Sequence, residues 1–188
     1  MGRVICIESI PGVDRTFILE QIEDKIPCLY IEQDHILLAL YLGNPKKYSM
    51  AYDVVLLREF EDVLEKSKRY DTDVFVNQGP THLSIVFYLQ HCNGYISREE
   101  YKYLQRGLNT ITEKYNVSSV YLHCPIDRAM GWIWRYGRLC EISCYGWKYL
   151  DNFSQEYNKR KDILTLEWTK LEDTNVLLVI LPWIPKRV

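Results

Sequence analysis

Short β-branched, apolar runs alternate along this chain with segments of helical periodicity, and that alternation restricts the fold more than any other feature. Residues 3–8 (RVICIE) read as a buried strand that ends in the turn Ser9-Ile10-Pro11-Gly12, and a helix is predicted to begin at Asp14 or Arg15. Further strands are predicted at 29–31, 73–77 (DVFVN), 119–123 (SVYLH) and 175–181 (NVLLVIL), which makes five. Parallel neighbours need crossovers of about a dozen residues or more, and the intervening helical segments supply them. The expectation is an α/β fold, a five-stranded parallel sheet flanked by helices.

Two crossovers are legible in detail. Residues 49–69 place Tyr52, Val55, Leu56, Phe60 and Leu64 on one stripe and Arg58, Glu61 and Lys66 off it, the pattern of a long amphipathic helix. Ser97-Arg98-Glu99-Glu100 matches a capping box, opening a helix toward Tyr115 with Tyr101, Leu104 and Leu108 inward. The tail 181–188 carries Pro182 and Pro185 and is expected to run extended.

With 188 residues and 47% hydrophobic composition the chain can bury one substantial core, so residues 1–188 are expected to form a single domain. The formal charge of −2 creates no field that would draw it to nucleic acid or an anionic membrane. Lys46-Lys47 and Lys159-Arg160-Lys161 are too short to change that, and read as solvated helix faces. No window reaches the roughly 18 apolar residues of a membrane span, and the first residues lead straight into a strand, so a soluble cytoplasmic protein is expected. The six cysteines are scattered and partly inside apolar runs, which suits reduced thiols. Cys140 and Cys144 lack the second pair that a zinc site requires, so no metal site is assigned. His82, His91 and His123 have no partner at catalytic spacing and are given core or surface roles.

A strand, a glycine-containing turn and a helix start allow backbone N–H groups to hold phosphate oxygens. Set against G-x-x-x-x-G-K-[ST], the turn keeps Thr16, has Arg15 in the lysine position and Asp14 in place of the second glycine. Arg15 retains the charge with a bulkier, differently aimed fork, and Asp14 is expected to repel a nearby anion. Gly12, Arg15 and Thr16 are the candidate residues for a bound phosphate.

Four further segments, in order, resemble the deoxyribonucleoside kinases over nearly the whole chain. Ile7-Glu8 resembles that family's Ile-Glu-Gly start, and Tyr30-Ile31-Glu32 the strand end that carries its catalytic base. Residues 45–53 (PKKYSMAYD) resemble the stretch that opens the substrate-binding helix. Tyr136-Gly137-Arg138-Leu139-Cys140-Glu141, followed by Tyr149-Leu150, resembles the Arg-Gly-Arg-x-x-Glu lid, here about 135–147. The resemblance implies strand order 2-3-1-4-5, ATP with magnesium as cofactors, a nucleoside or nucleotide as partner, and a homodimer. It casts Glu32 as the base, Arg138 as the lid arginine that steadies phosphate, and Glu141 as the lid carboxylate on the sugar. Tyr41 stands one residue from the aligned sugar-contacting tyrosine, where Leu42 falls, and Arg135 one residue from a lid arginine that aligns with Tyr136. The glutamine that reads the nucleobase falls on Asp53, and the arginine after the third strand falls on Gln78. A later Asp-Arg pair falls on Leu83-Ser84.

The scaffold is thus kept while most polar groups that recognise substrate are changed. The reading that follows is a kinase-derived protein with little or no phosphorylation of nucleosides, kept for nucleotide binding or a protein contact. A working deoxynucleoside, thymidine or thymidylate kinase of altered specificity is the alternative, and so is a purely structural protein, which 15 tyrosines and 5 tryptophans favour. The divergence and brevity resemble copies of the family carried by large DNA viruses.

Overall fold

A computed structural model describes residues 2–32 and 34–167. The strand predicted at 175–181 and the predicted extended tail lie outside the described residues.

Five strands, β1 (Val4–Ser9), β2 (Cys28–Leu29), β3 (Val74–Val76), β4 (Val117–His123) and β5 (Leu164–Glu167), make one sheet in the order β2-β3-β1-β4-β5. Every pairing is parallel. β1 lies at the centre and is buried at all six of its positions, which is why its sequence is an unbroken apolar run instead of an alternation. Its register, Cys6 opposite Val76, carries both strands to the same edge, so the turn after β1 lies beside Asn77 and Gln78. Asn77 fastens that edge: its Oδ1 accepts from Ile31 N at 2.8 Å and its Nδ2 donates to Ile31 O at 3.3 Å, tying the chain after β2 to the chain after β3. β5 pairs with β4 from Val120 opposite Leu164 onward and occupies the edge position expected of 175–181.

The crossovers contain α1 (Arg15–Glu20), α2 (His35–Gly43), α3 (Pro45–Ser67), α4 (Pro80–Cys92), α5 (Arg98–Glu113), α6 (Ile126–Tyr136), α7 (Leu139–Cys144) and α8 (Trp147–Asn158). α3 starts four residues earlier than its apolar stripe, because Asn44 caps it by accepting from Lys47 N and Pro45 takes the first helical position. It buries Tyr52, Leu56, Phe60 and Leu64 of the predicted stripe, while Val55 is left partly exposed. α5 carries the predicted box, with Glu100 N donating to Ser97 Oγ at 3.2 Å and Ser97 N to Glu100 Oε2 at 2.7 Å. Ile5, Ile7, Phe60, Phe75, Phe87 and Phe153 form the middle of the core, each less than 2% exposed and each worth about 1.5–3 kcal/mol of burial. All six cysteines are free thiols. No helix among the described residues is long and apolar enough to cross a membrane.

Candidate functional site

A cavity of about 890 Å³ opens at the carboxyl edge of β1, β2 and β3. This is the edge at which open parallel sheets hold their ligands. Of the residues predicted from the sequence, Gly12, Arg15, Thr16, Glu32, Tyr41, Gln78, Arg138 and Glu141 line its wall, and Asp53 does not.

The turn after β1 is built tightly against α6. Gly12 has φ +89°, a left-handed conformation that favours glycine, and a Cβ there would lie 2.6 Å from Ile133 Cγ1 and 2.8 Å from Ala129 O. Asp14 was expected to face a bound anion with its carboxylate. It instead caps α1, accepting from Phe17 N at 3.1 Å, and its side chain is exposed at the cavity border. The capping bond accounts for an acid in a position where the phosphate-loop pattern has glycine.

Arg15 points the other way. Its Nη1 lies 3.4 Å from His82 Nδ1, and no carboxylate among the described residues pairs with it. Burial lowers its pKa, and nearby Tyr157 and Glu8 partly offset that; a guanidinium is basic enough to keep its charge in a protein. His82 is 5% exposed, and burial followed by the Arg15 charge holds its pKa well below the usual histidine value. The ring is neutral at pH 7. Its Nδ1 also lies 3.2 Å from Ser9 O and 3.4 Å from Tyr157 Oη, and its face rests on Phe153 at 4.9 Å between ring centroids.

Beneath His82 is Glu8, fully buried in β1. Its carboxylate accepts from Thr81 N at 3.2 Å, His82 N at 3.0 Å, Ser119 Oγ at 2.8 Å and Tyr157 Oη at 3.2 Å, which satisfies the first N–H groups of α4. Burial pushes its pKa up to about 7, and the four donors hold it from going further. Gly79 has to be glycine here, because a Cβ would fall 2.1 Å from Glu8 Oε1.

The other end of the cavity is aromatic. Tyr41 stacks on Tyr52 at 4.6 Å and Tyr145 on Tyr149 at 5.4 Å. Burial raises the pKa of all four, so their hydroxyls are neutral. Gln78 adds a side chain 2% exposed whose Nε2 has no partner among the described residues. Leu42, the residue aligned with the family tyrosine, is off the wall, as is Arg135, while Tyr136 is on it. Glu32 is exposed on the wall. At the start of α7, Glu141 reaches back to accept from Arg138 N at 2.8 Å, which leaves the exposed Arg138 side chain unpaired with it.

Asp53 belongs to a different face of α3. Tyr52, Val55 and Glu59 follow the stripe that borders the cavity, whereas Asp53 is one residue round the helix and accepts from Gln90 Nε2 of α4 at 2.9 Å. It is fully buried, and burial pushes its pKa well above the carboxylate range, with the Gln90 bond partly offsetting this. Asp53 Oδ2 and Gln90 Oε1 are both buried without a partner among the described residues, and a proton kept on the acid turns one of these acceptors into a donor. Because the folded pKa is raised, the stability Asp53 contributes is complete at acid pH and is lost as pH rises. Asp53→Asn is expected to raise the unfolding free energy at pH 8 by about 1–2 kcal/mol and to leave ligand binding unchanged, as urea denaturation and titration will show.

His82, read from the sequence as a core or surface residue, is buried beside Arg15, and Tyr157 drew no assignment from the sequence. No local signal marks them, since each meets Arg15 or Glu8 only through the sheet topology.

No protein-family model matches the sequence, and no curated protein matches it at significant similarity. Solved structures do match. Deoxyadenosine kinase from M. mycoides with dCMP and a flexible dCDP aligns with a TM-score of 0.78 at 16% identity, over 96% of this chain and 98% of that one. The same enzyme with dATP gives 0.75 at 16% identity, over 96% and 99%, and with dCTP 0.76 at 14%, over 96% and 98%. This is the deoxynucleoside kinase fold. At such low identity the likeness is one of overall fold, and the side chains at the site are this chain's own.

Proposed function

We propose that this chain is a deoxynucleoside-kinase-like protein that binds a deoxynucleoside or deoxynucleotide in the cavity and transfers phosphate slowly or not at all. One observation carries the reading: a single cavity joins the tyrosine- and amide-lined end to the turn that presents Arg15 and Thr16. A flat, neutral base suits the first end, where ring stacking and the free Gln78 amide supply contact and one donor. On this reading the sugar lies by Tyr41 and Glu141 and the phosphate by Arg15 and Thr16, all four of which line the cavity. The fold neighbours described with dATP, dCTP or dCMP make deoxynucleotides the first ligands to try.

Slow chemistry follows from charge. The wall carries five carboxylates, Asp14, Glu32, Asp34, Glu59 and Glu141, against the two guanidinium groups of Arg15 and Arg138. Gln78 is neutral where the resemblance implies arginine, and losing one such donor commonly costs about two to three orders of magnitude in rate. A polyphosphate here calls for a compensating cation. Among the described residues no three metal-ligating side chains converge, but magnesium needs only one or two protein oxygens beside phosphate and water, and Thr16 and Glu32 have such oxygens on the wall. Bound there, the ion would neutralise charge on the transferring group.

Glu32, Arg138 and Glu141 all line the cavity, which favours a working kinase as the second reading. Thermal melting with dATP, dCTP, dCMP and the four deoxynucleosides, followed by a phosphoryl-transfer assay with magnesium ATP, separates the two. The expected outcome is a ligand-dependent rise in Tm with turnover at least about 100-fold below the 1–100 s⁻¹ usual for kinases. Turnover inside that range establishes the second reading, and no shift with any ligand removes both.

A further inference from the structure

We propose that His82 is a positioning residue, holding the Arg15 guanidinium at the phosphate end of the cavity without cancelling its charge. The inference rests on the binding reading above and names how that site is regulated from beneath.

A long cationic side chain on a turn loses rotamer freedom when it is fixed, so something has to hold it in place. Carboxylates are the usual holders of arginine, and they neutralise what they hold. Here the side chain within hydrogen-bond distance of the guanidinium, among the described residues, is the imidazole of His82, whose Nδ1 lies 3.4 Å from Arg15 Nη1. His82 is itself fixed by its backbone and its ring face, and its Nδ1 makes one further bond at a time. Its backbone N donates to Glu8, its ring lies against Phe153, and Nδ1 is within hydrogen-bond distance of Ser9 O and Tyr157 Oη. Tyr157 in turn donates to Glu8, so the ring stands on a buried relay that runs from β1 through α8 to α4.

The ring is neutral in either tautomer, and the two do different work. With the proton on Nε2, Nδ1 accepts from Arg15 and restrains it. With the proton on Nδ1, the ring donates to the Ser9 carbonyl, which pins the turn and leaves the guanidinium free for an anion. The exchange moves no net charge, so the cavity keeps its cation in both states. A carboxylate at this position would do the restraining and abolish the attraction.

The test measures two affinities by calorimetry, for inorganic triphosphate with magnesium and for a deoxynucleoside, in the wild type, His82→Ala, His82→Asn and the same changes in an Arg15→Ala background. His82→Ala is expected to weaken triphosphate about 10-fold, the loss of one hydrogen bond to a charged group, with deoxynucleoside affinity within about 2-fold. His82→Asn, with a donor and an acceptor close to the Nδ1 position, is expected to recover most of the loss. In the Arg15→Ala background His82→Ala should change nothing further. Equal loss of both ligands, unchanged triphosphate affinity, or the same loss without Arg15 overturns the inference while leaving the binding reading intact. A wild type that binds neither ligand overturns both. If His82→Ala fails to fold, His82→Asn decides the matter: triphosphate affinity near wild type that falls with Arg15→Ala supports the inference, and affinity independent of Arg15 sinks it.

Discussion

Glu8→Ala is expected to lower the unfolding free energy by about 3–5 kcal/mol at pH 7, a large part of the 5–15 kcal/mol typical of a domain. The alanine removes an acceptor shared by four donors on three elements, and the backbone N–H groups of Thr81 and His82 are left buried with nothing to bond. Urea denaturation followed by circular dichroism measures the loss. Glu8→Gln is the informative partner, because its carbonyl still accepts while Ser119 and Tyr157 hydroxyls can reverse their roles. The pH dependence carries its own sign. Folding raises this carboxyl from 4.5 to about 7, so the folded state takes up a proton between those values, and the stability it confers is complete below pH 4.5 and lost as pH rises through 7. That amounts to about 3 kcal/mol across the window, and Glu8→Gln is expected to flatten it. A wild-type stability that climbs steadily from pH 5 to 7 would contradict the assignment.

Arg15→Ala is expected to weaken binding of magnesium triphosphate by about 100-fold or more and at the same time to stabilise the protein by about 1 kcal/mol. The first effect is the loss of charge-assisted hydrogen bonds to phosphate in a cavity whose remaining wall groups are mostly acidic. The second follows because Arg15 is desolvated, has no carboxylate partner among the described residues, and depresses the protonation of His82 beside it. Affinity and stability moving in opposite directions is the mark of a side chain kept for its ligand. A fall in both would instead mean that Arg15 holds the turn together and binds nothing.

The central strand, the helix stripes and the capping box were legible because each depends on neighbours within a few residues. Residues 3–8 announce burial by composition alone, and Ser97 with Glu100 is a complete local device. β5 was not legible. Leu164-Thr165-Leu166-Glu167 is short and half polar, and it becomes a strand because β4 offers an open edge, a tertiary cause that a local window does not contain. The fifth strand was expected at the longer, more apolar run 175–181, which lies outside the described residues. At the site the same distinction holds. Gly12, Thr16 and Gln78 could be placed by motif position, whereas His82 reaches Arg15 across 67 residues and Tyr157 reaches Glu8 across 149. Asp53 shows the opposite failure, since a motif position put it at the base and one step around α3 turns it to Gln90.

The missing side chain at position 12 packs the turn after β1 and α6 together as meshed parts. Ile133 and the Ala129 carbonyl occupy the room a Cβ would need, and α6 leads within a few residues to Arg138 and Glu141. Outward movement of that turn would press on α6 and, through it, on the segment that carries Arg138 and Glu141. On the binding reading proposed above, filling the cavity and moving that segment would be one displacement, transmitted by steric fit.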